Sequence, residues 1–231
     1  MKKLSLDYGS QEVFYRDYYQ ESRGALSKGM FSILWKYPHK VIERNYISNE
    51  NKVIVELGVG FGEHVDFVQR PWNDYVAVDL NLREPLLKRF QTDSTVKLIQ
   101  ADAQKTDLPD NFADRLIATC LITHLENPEQ ALCEWNRLCK DRGKISIYMP
   151  CEGGILLKIF RKLVSSQKAK KQGFQGYSLF ILREHINSYY RIDGLVKELF
   201  HSHQITVRRR PFPFLSWNLN LFSIYEIDVE K

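Results

Sequence analysis

The sequence lacks several features that would each place it in a specialised class of protein. Its 231 residues contain no run of about 18 apolar residues, so we expect no transmembrane helix. The two lysines after the first residue are not followed by an apolar segment, so we expect no signal peptide. The four cysteines form no C-x-x-C pair and no metal-ligand spacing, which predicts reduced thiols in a cytoplasmic protein and no bound metal.

The charge balance is mildly basic, and the positive charge gathers in two short clusters. Lysine and arginine number 33 against 28 aspartates and glutamates, a formal net charge of +5. The clusters are Lys168-Ala-Lys-Lys171 and Arg208-Arg-Arg210. Such clusters bind nucleic acid or acidic membrane surfaces in some proteins and are merely solvated in most.

The most informative stretch is the glycine-rich segment Val53–Gly62. Apolar β-formers run into Glu56, and glycines then stand at positions 58, 60 and 62. This pattern predicts a buried parallel strand that ends in a turn whose backbone can approach a nucleotide. The spacing is G-x-G-x-G, which differs from the G-x-G-x-x-G of dinucleotide sites, and no G-K-[ST] of a P-loop is present.

Two aspartates at the ends of the next predicted strands narrow the kind of nucleotide. Asp79 is placed to accept hydrogen bonds from both hydroxyls of a ribose, which fits NAD as well as other adenosine cofactors. Asp102 ends the following strand, where its carboxylate can accept from an adenine amino group. A second strand-end acid for the adenine is not part of the NAD fingerprint, so a dehydrogenase is the second choice for this turn.

Strands and helices alternate after residue 52, which predicts an α/β domain whose mostly parallel sheet has helices on both faces. The predicted strands are Val53–Leu57, Tyr75–Val78, Val96–Ile99, Ala113–Ala118, Lys144–Tyr148 and a hairpin-like pair, Gln204–Arg208 with Leu219–Ile227. The predicted helices are Glu63–Gln69, Leu82–Gln91, Pro128–Leu138, Ile155–Leu163 and Ile192–Phe200. A turn at Asp141-Arg-Gly143 is expected before the fifth strand.

The flanks of this pattern predict two further units. Residues 1–50 are rich in aromatic side chains and predict an N-terminal helical cap, with one helix ending at Pro38 and another over about His39–Tyr46. The main domain then comprises residues 51–231. Within it, residues 151–183 are predicted to form an insertion above the carboxyl edge of the sheet.

Several segments, taken in order, resemble class I S-adenosylmethionine-dependent methyltransferases. They are Glu56–Gly62, Val76–Asp79, Gln100–Asp102, Leu108–Asp114, Ile122–Glu129 and Glu134–Gly143, which together cover roughly residues 50–150. The resemblance implies a Rossmann-like three-layer sandwich with a mostly parallel seven-stranded sheet and an antiparallel last strand. It also implies S-adenosylmethionine as the cofactor and S-adenosylhomocysteine as the product.

The resemblance assigns cofactor roles to individual residues. Glu56 and the glycine turn would hold the methionine part, and Asp79 the ribose, with Leu80 packed on the adenine. Asp102 and Ala103 would bind the adenine edge, and Thr119 would lie beside the methionine. The complete expected set is Glu56, Gly58, Val59, Gly60, Gly62, Asp79, Leu80, Asp102, Ala103 and Thr119.

The methyl acceptor is less clearly indicated. A hydroxyl acceptor needs a general base, and the candidates are His124 after the fourth strand and Glu184-His185 after the insertion. The segments Pro150–Gly154, Arg183–Asn187 and Arg210–Phe214 resemble, more loosely, bacterial methyltransferases encoded with surface-polysaccharide enzymes. That resemblance favours methylation of an oxygen or nitrogen atom of a sugar or polysaccharide precursor.

Other readings of the same residues stay open at this stage. Tyr177, Tyr189, Tyr190 and Trp217 suit stacking on a sugar and suit packing equally well. The two basic clusters fit an RNA methyltransferase. A non-catalytic, methyltransferase-like partner subunit is the third alternative.

Overall fold

The computed structural model describes residues 30–44, 46, 52–69, 72–171 and 176–231. Its strands are β1 (Val53–Leu57), β2 (Asp74–Asp79), β3 (Val96–Gln100), β4 (Ala113–Thr119), β5 (Cys139–Pro150), β6 (Gln204–Arg210) and β7 (Phe222–Asp228). Its α-helices are α1 (Met30–Glu43), α2 (Glu84–Phe90), α3 (Pro128–Leu138), α4 (Ile155–Phe160), α5 (Ser166–Lys171), α6 (Tyr177–Glu184) and α7 (Tyr189–Leu199). Short 3-10 turns lie at His64–Asp66, Ile122–His124 and Trp217–Leu219.

The described strands form one seven-stranded sheet in the order β3-β2-β1-β4-β5-β7-β6. Strands β1 to β5 are parallel, and β7 is inserted antiparallel between β5 and β6. The predicted fold class is therefore confirmed, as is the hairpin of the last two strands. Each helix in the described part of the chain is too short or too polar to span a bilayer.

Side chains alternate between the two faces of the sheet and build a core on each. On one face, α3 and α7 bury Leu132, Trp135 and Ile192 against β1, β4 and β5. On the other face, α2 packs through Leu86, and α1 packs through Val41 and Ile42 onto β7. The predicted three-layer arrangement follows from this alternation.

The prediction of two N-terminal helices separated at Pro38 is wrong. Helix α1 runs from Met30 to Glu43 with Pro38 inside it. Proline removes one backbone donor from a helix, but here Pro38, His39, Val41 and Ile42 are all buried. Burial of this face outweighs the lost hydrogen bond, so the helix continues. Residues 1–29 of the expected cap lie outside the described part of the chain.

The predicted helix Glu63–Gln69 is also wrong, because only the 3-10 turn His64–Asp66 forms. Arg89 donates to the carbonyl oxygens of Gly62, at 2.7 Å, and of Phe61, at 3.5 Å. These acceptors are thus engaged by a side chain. The side chain of His64 meanwhile turns inward to Glu43. Both contacts involve residues distant in sequence, so local pattern alone does not reveal them.

The fifth strand is longer than predicted and includes the expected turn. Strand β5 spans Cys139–Pro150, and its pairing moves from Ala113↔Cys139 to Arg115↔Lys144. The extra residues bulge out around Arg142, which has φ of 59°. The polar segment that follows Leu163 is helical, although no helix was predicted there. A π-helical turn, Arg161–Ser165, connects α4 to α5.

Candidate functional site

A pocket of about 630 Å³ opens at the carboxyl edge of the parallel strands. The strand register explains its position: Leu57 of β1 pairs with Val78 of β2 and Ala118 of β4, while Asp79 pairs with Gln100 of β3. The residues that follow these strands therefore lie side by side at the same edge of the sheet. Nine of the ten residues predicted to bind the cofactor line the pocket: Glu56, Gly58, Val59, Gly60, Asp79, Leu80, Asp102, Ala103 and Thr119.

Gly60 and Gly62, which follow β1, lack a side chain for different structural reasons. Gly60 has φ of +58°, and a Cβ built on it would meet no atom within 4 Å, so its backbone faces open space in the pocket. A Cβ on Gly62 would lie 2.8 Å from the Phe90 ring. Gly62 is the predicted residue that does not line the pocket, and the close approach of α2 accounts for its lack of a side chain.

The two strand-end aspartates are held by short hydrogen bonds from backbone N–H groups. Asp79 accepts from the backbone N–H of Gly60 at 2.8 Å and from that of Asn81 at 3.0 Å. Asp102 accepts from the backbone N–H of Gln104 at 2.9 Å. These bonds orient both carboxylates at the pocket wall, next to the exposed side chain of Leu80.

Glu56 is buried beneath the glycine turn. Its carboxyl accepts a hydrogen bond from the Tyr75 hydroxyl at 2.7 Å. Burial raises the pKa of Glu56 to about 8, because a charged carboxylate is poorly solvated there. At neutral pH the group is therefore mostly protonated in this structure.

The three residues predicted to be catalytic lie together, although they come from two distant segments. His124 and Glu184 line the pocket, and their Nδ1 and Oε2 atoms are 4.0 Å apart. His185 lies behind them, with its ring 4.6 Å from that of His124. Burial, together with the neighbouring His185, lowers the pKa of His124 to about 4, so its imidazole is neutral at neutral pH.

Sequence reasoning missed the two residues that hold His185 in place. Glu152 contacts His185 Nδ1 through Oε1 at 2.5 Å and binds Arg161 through both of its oxygens. Burial opposes ionisation of Glu152, but the hydrogen bonds from His185 and Arg161 outweigh it and lower its pKa to about 2. The signals in the sequence were that Glu152 lies two residues after the fifth strand and within the segment Pro150–Gly154 that carries the looser resemblance.

A second histidine pair on the pocket wall was also missed. His39 of α1 and His64 face each other with their Nδ1 atoms 2.9 Å apart, and His64 Nε2 lies 3.0 Å from Glu43. If the Glu43 carboxylate accepts from Nε2–H of His64, then His64 Nδ1 accepts from His39 Nδ1–H, and His39 Nε2 is left as a base. Burial lowers the pKa of His39 to about 3, which agrees with a neutral pair.

Two of the four aromatic side chains considered for sugar stacking are used for packing instead. Tyr189 is buried and stacks on Trp217, with ring centroids 4.9 Å apart. The Tyr225 hydroxyl donates to that of Tyr189 at 2.8 Å. Cys151 is also a core residue, buried with its sulfur 3.5 Å from the Ser223 hydroxyl.

Comparison with known families identifies the central part of the chain. Residues 55–147, which run from β1 to β5 and include the glycine turn and both aspartates, match the methyltransferase domain family. The chain contains a class I S-adenosylmethionine-dependent methyltransferase domain. No curated protein sequence matches the chain.

Many solved structures share the fold of this methyltransferase domain. A Methanococcus maripaludis protein, proposed to be an S-adenosyl-L-methionine-dependent methyltransferase, is 19% identical with a TM-score of 0.62, over 91% of this chain and 92% of that one. The N-methyltransferase NodS of Bradyrhizobium japonicum, solved with S-adenosyl-L-homocysteine, is 10% identical with a TM-score of 0.57, over 83% and 85%.

A third similar structure is the CurJ carbon methyltransferase, at 12% identity and a TM-score of 0.59 over 84% of this chain. The chain spans only 54% of the length of CurJ. At such identities the shared fold is what is shown. One of these relatives methylates nitrogen and another carbon, so the fold leaves the acceptor of this domain open.

Proposed function

We propose that this chain transfers a methyl group from S-adenosylmethionine to an oxygen or nitrogen atom of a small molecule, with a sugar or polysaccharide precursor as the leading acceptor class. One observation carries the proposal: a single pocket extends from Glu56, Asp79 and Asp102 to His124 and Glu184. The residues expected for the cofactor and those expected for the acceptor therefore share one space. The sugar assignment rests on the looser resemblance of the segments that flank the insertion.

In this proposal each side of the pocket has its own role. Asp79 accepts from the ribose hydroxyls, Leu80 covers the adenine, and Asp102 with Ala103 binds the adenine edge. Glu56, Thr119 and the open backbone at Gly60 hold the methionine part. When bound, the cofactor supplies an electrophilic methyl group on a sulfonium, so the chain must mainly align the acceptor and exclude water.

His124 is the proposed general base for a hydroxyl acceptor. Its pKa is lowered to about 4, so its imidazole is neutral near pH 7 and has a nitrogen free to accept the proton that the acceptor loses. The same shift makes it a weaker base than an ordinary histidine, so the proposal requires that proton transfer be favoured by the position of the acceptor. Glu152 holds His185 against the ring of His124, and Glu184 lies beside it. These neighbours are proposed to orient His124.

Thermal shift and calorimetry with S-adenosylhomocysteine test the cofactor assignment, and methyl transfer from labelled S-adenosylmethionine to a panel of sugars and sugar nucleotides tests the acceptor. We expect stabilisation by S-adenosylhomocysteine and none by NAD(P). Stabilisation by NAD(P) alone would instead identify a dehydrogenase. Cofactor binding with no transfer to sugars but transfer to RNA would move the acceptor to the second candidate class.

Replacing His124 or His185 by alanine is expected to lower turnover about 100-fold or more, with cofactor affinity nearly unchanged. His124→Ala removes the base, and His185→Ala removes the ring that orients it. Initial rates and calorimetric cofactor affinities measured on the same preparations give both quantities. His201→Ala is the matched control, since His201 is exposed and lies outside the pocket lining.

If both variants turn over normally, the base lies elsewhere or the acceptor needs none. His39 is then the residue to replace, because it lines the same pocket and its Nε2 can accept a proton. If His39→Ala loses turnover while His124→Ala stays active, His39 on α1 is the general base.

Cofactor binding at pH 7 is expected to release about one proton from Glu56. The ammonium of the bound methionine part favours the Glu56 carboxylate, whose pKa is about 8 without it. Affinity should therefore rise about tenfold per pH unit below 8 and level off above it. Calorimetry in buffers of different ionisation enthalpy measures the proton count, and Glu56→Gln should show none. Binding that is independent of both buffer and pH would contradict this role.

A further inference from the structure

Most of the large apolar side chains that are exposed in the described part of the chain lie on one surface beside the pocket. Fourteen large hydrophobic side chains are exposed among the described residues, and ten of them lie in residues 155–186 and 212–219; the others are Tyr37, Leu80, Leu87 and Tyr190. The two segments adjoin, because the turn Trp217–Leu219 packs against α4 and α5 packs against α6. We call residues 155–171, 176–186 and 212–219 the apolar rim. Exposed apolar side chains that are grouped on adjoining elements are typical of interaction sites, whereas single ones are ordinary.

The helices of the apolar rim are amphipathic with their apolar side outward. Ile155, Ile159 and Leu163 are four residues apart, so they share one side of the helical segment that begins with α4. All three are exposed, Leu163 to 65%. Leu182 of α6 is exposed to 75%, although the same helix buries Phe180. The helices thus retain an outward apolar side after their inner side has been packed.

The loop of the apolar rim presents its apolar side chains on a fixed backbone. Residues 211–216 are all exposed, and Phe214 is 98% exposed. Buried Asn220 accepts from the N–H of Phe212 at 2.7 Å and donates to the carbonyl oxygens of Phe212, Leu215 and Ser216 at 2.9 to 3.2 Å. The buried side chain of Asn220 therefore fixes the loop in a conformation in which its apolar side chains are exposed to solvent.

The charge of the apolar rim indicates what it binds. Residues 155–186 contain seven lysines and arginines against one acidic residue, Glu184. Lys158, Lys162, Lys170 and Lys171 are exposed, and the first two lie on the helical segment that carries Ile159 and Leu163. Outward apolar side chains flanked by lysines are typical of helices that lie in the interface of an anionic membrane.

We propose that the apolar rim docks on an anionic phospholipid bilayer, with Phe214, Leu163 and Leu182 entering the acyl boundary and the lysines facing the phosphates. A second copy of the chain fits less well, since a symmetric contact would bring like-charged lysines together. RNA fits less well too, because the aliphatic side chains of the rim gain nothing from phosphate or base contacts.

Docking would also orient the pocket. The elements that carry the apolar rim supply Arg161 and Glu184 to the pocket side, where Arg161 binds Glu152 and Glu184 lines the pocket. The pocket would thus open beside the lipid surface. An acceptor carried on that surface would then reach the site; this consequence rests on the proposed function, whereas the docking itself does not.

Cosedimentation of the full chain with phosphatidylglycerol–phosphatidylcholine vesicles tests the proposal. We expect binding to these vesicles that weakens as salt is raised, and little binding to phosphatidylcholine alone. The double variant Phe214→Ser/Leu182→Ser should lower the partition coefficient at least about tenfold. Lys158→Glu/Lys162→Glu should lower it to a similar extent. Leu87→Ser, at an exposed leucine on α2 outside the rim, is the matched control and should bind like the wild type.

Each other outcome overturns the docking proposal. No binding of the wild type to the anionic vesicles at low salt refutes it. Binding that is displaced by an RNA oligomer and is insensitive to Phe214→Ser/Leu182→Ser assigns the surface to RNA. A dimer in sedimentation that this double variant dissociates, without vesicle binding, assigns it to a second copy. Calorimetry with S-adenosylhomocysteine on the same preparations checks folding and separates these results from the proposed function.

Discussion

An Arg115→Met variant is expected to unfold with a free energy about 3–5 kcal/mol below that of the wild type. Arg115 is fully buried on β4 beneath α1, and its guanidinium binds both oxygens of Glu43 at 2.8 Å. It also lies 3.8 Å from the ring centroid of Tyr46. The substitution leaves the Glu43 carboxylate buried without its cation, and the cost of that uncompensated charge dominates.

The charge state of Glu43 supports this expectation. Burial opposes its ionisation, but hydrogen bonds from His64 and Arg115 outweigh burial and hold its pKa below the ordinary value. The pair therefore contributes stability above the ordinary pKa of a carboxyl, which is lost as pH falls through the lowered pKa. Arg115→Met should remove this part of the pH dependence.

Urea unfolding followed by circular dichroism measures the change, and a paired variant identifies its cause. Glu43→Leu/Arg115→Met replaces both charges and should recover much of the lost stability. A single variant as stable as the wild type would show that the ion pair is not needed to hold α1 on the sheet. A double variant no better than the single would point to packing around Arg115 instead.

Replacing Asp79 by alanine is expected to weaken S-adenosylhomocysteine binding at least about 100-fold. A carboxylate that accepts from two ribose hydroxyls makes two charge-assisted hydrogen bonds, each worth about 1.5–3 kcal/mol. Asp79 also accepts from the backbone N–H of Gly60 at 2.8 Å, so its loss loosens the turn that would hold the methionine part. The effect should therefore fall on cofactor affinity first.

Calorimetric titration measures that affinity, with Asp107→Ala as the matched control. Asp107 is an exposed aspartate that does not line the pocket, and its variant should bind like the wild type. Equal affinity of Asp79→Ala and the wild type would show that Asp79 does not bind the ribose hydroxyls. Thermal unfolding of both variants separates loss of binding from loss of fold.

The common position of the residues expected to bind the cofactor was predictable from local sequence, because parallel strands end at one edge of a sheet. Glu56 with its glycines, Asp79, Asp102 and Thr119 each stand at or near such an end, so naming the strands was enough to gather them. The spacing of His124 after the fourth strand worked in the same way. Nine of the ten expected residues line the pocket for this reason.

The orienting side of the pocket was not predictable in this way. His39 and His64 are 25 residues apart, and Arg115 binds Glu43 across 72 residues. Glu152 and His185 likewise come from separate parts of the chain, on either side of α4, α5 and α6. Pairings of this kind depend on which helix packs on which strand, and no periodicity in the sequence reports that.

Local errors have the same origin. Pro38 predicted the end of a helix, but its neighbours are buried and α1 continues past it. A helix was predicted over Glu63–Gln69, but Arg89 binds the carbonyl oxygen of Gly62 just before it. By itself, the sequence determined the alternation of strands and helices, the glycine turn and the strand-end acids, since these follow from residue properties over short distances. The tertiary structure alone decided the buried charge network, the arrangement around His124 and the outward apolar rim. Each of these depends on which residues distant in sequence come into contact and which side chains stay exposed.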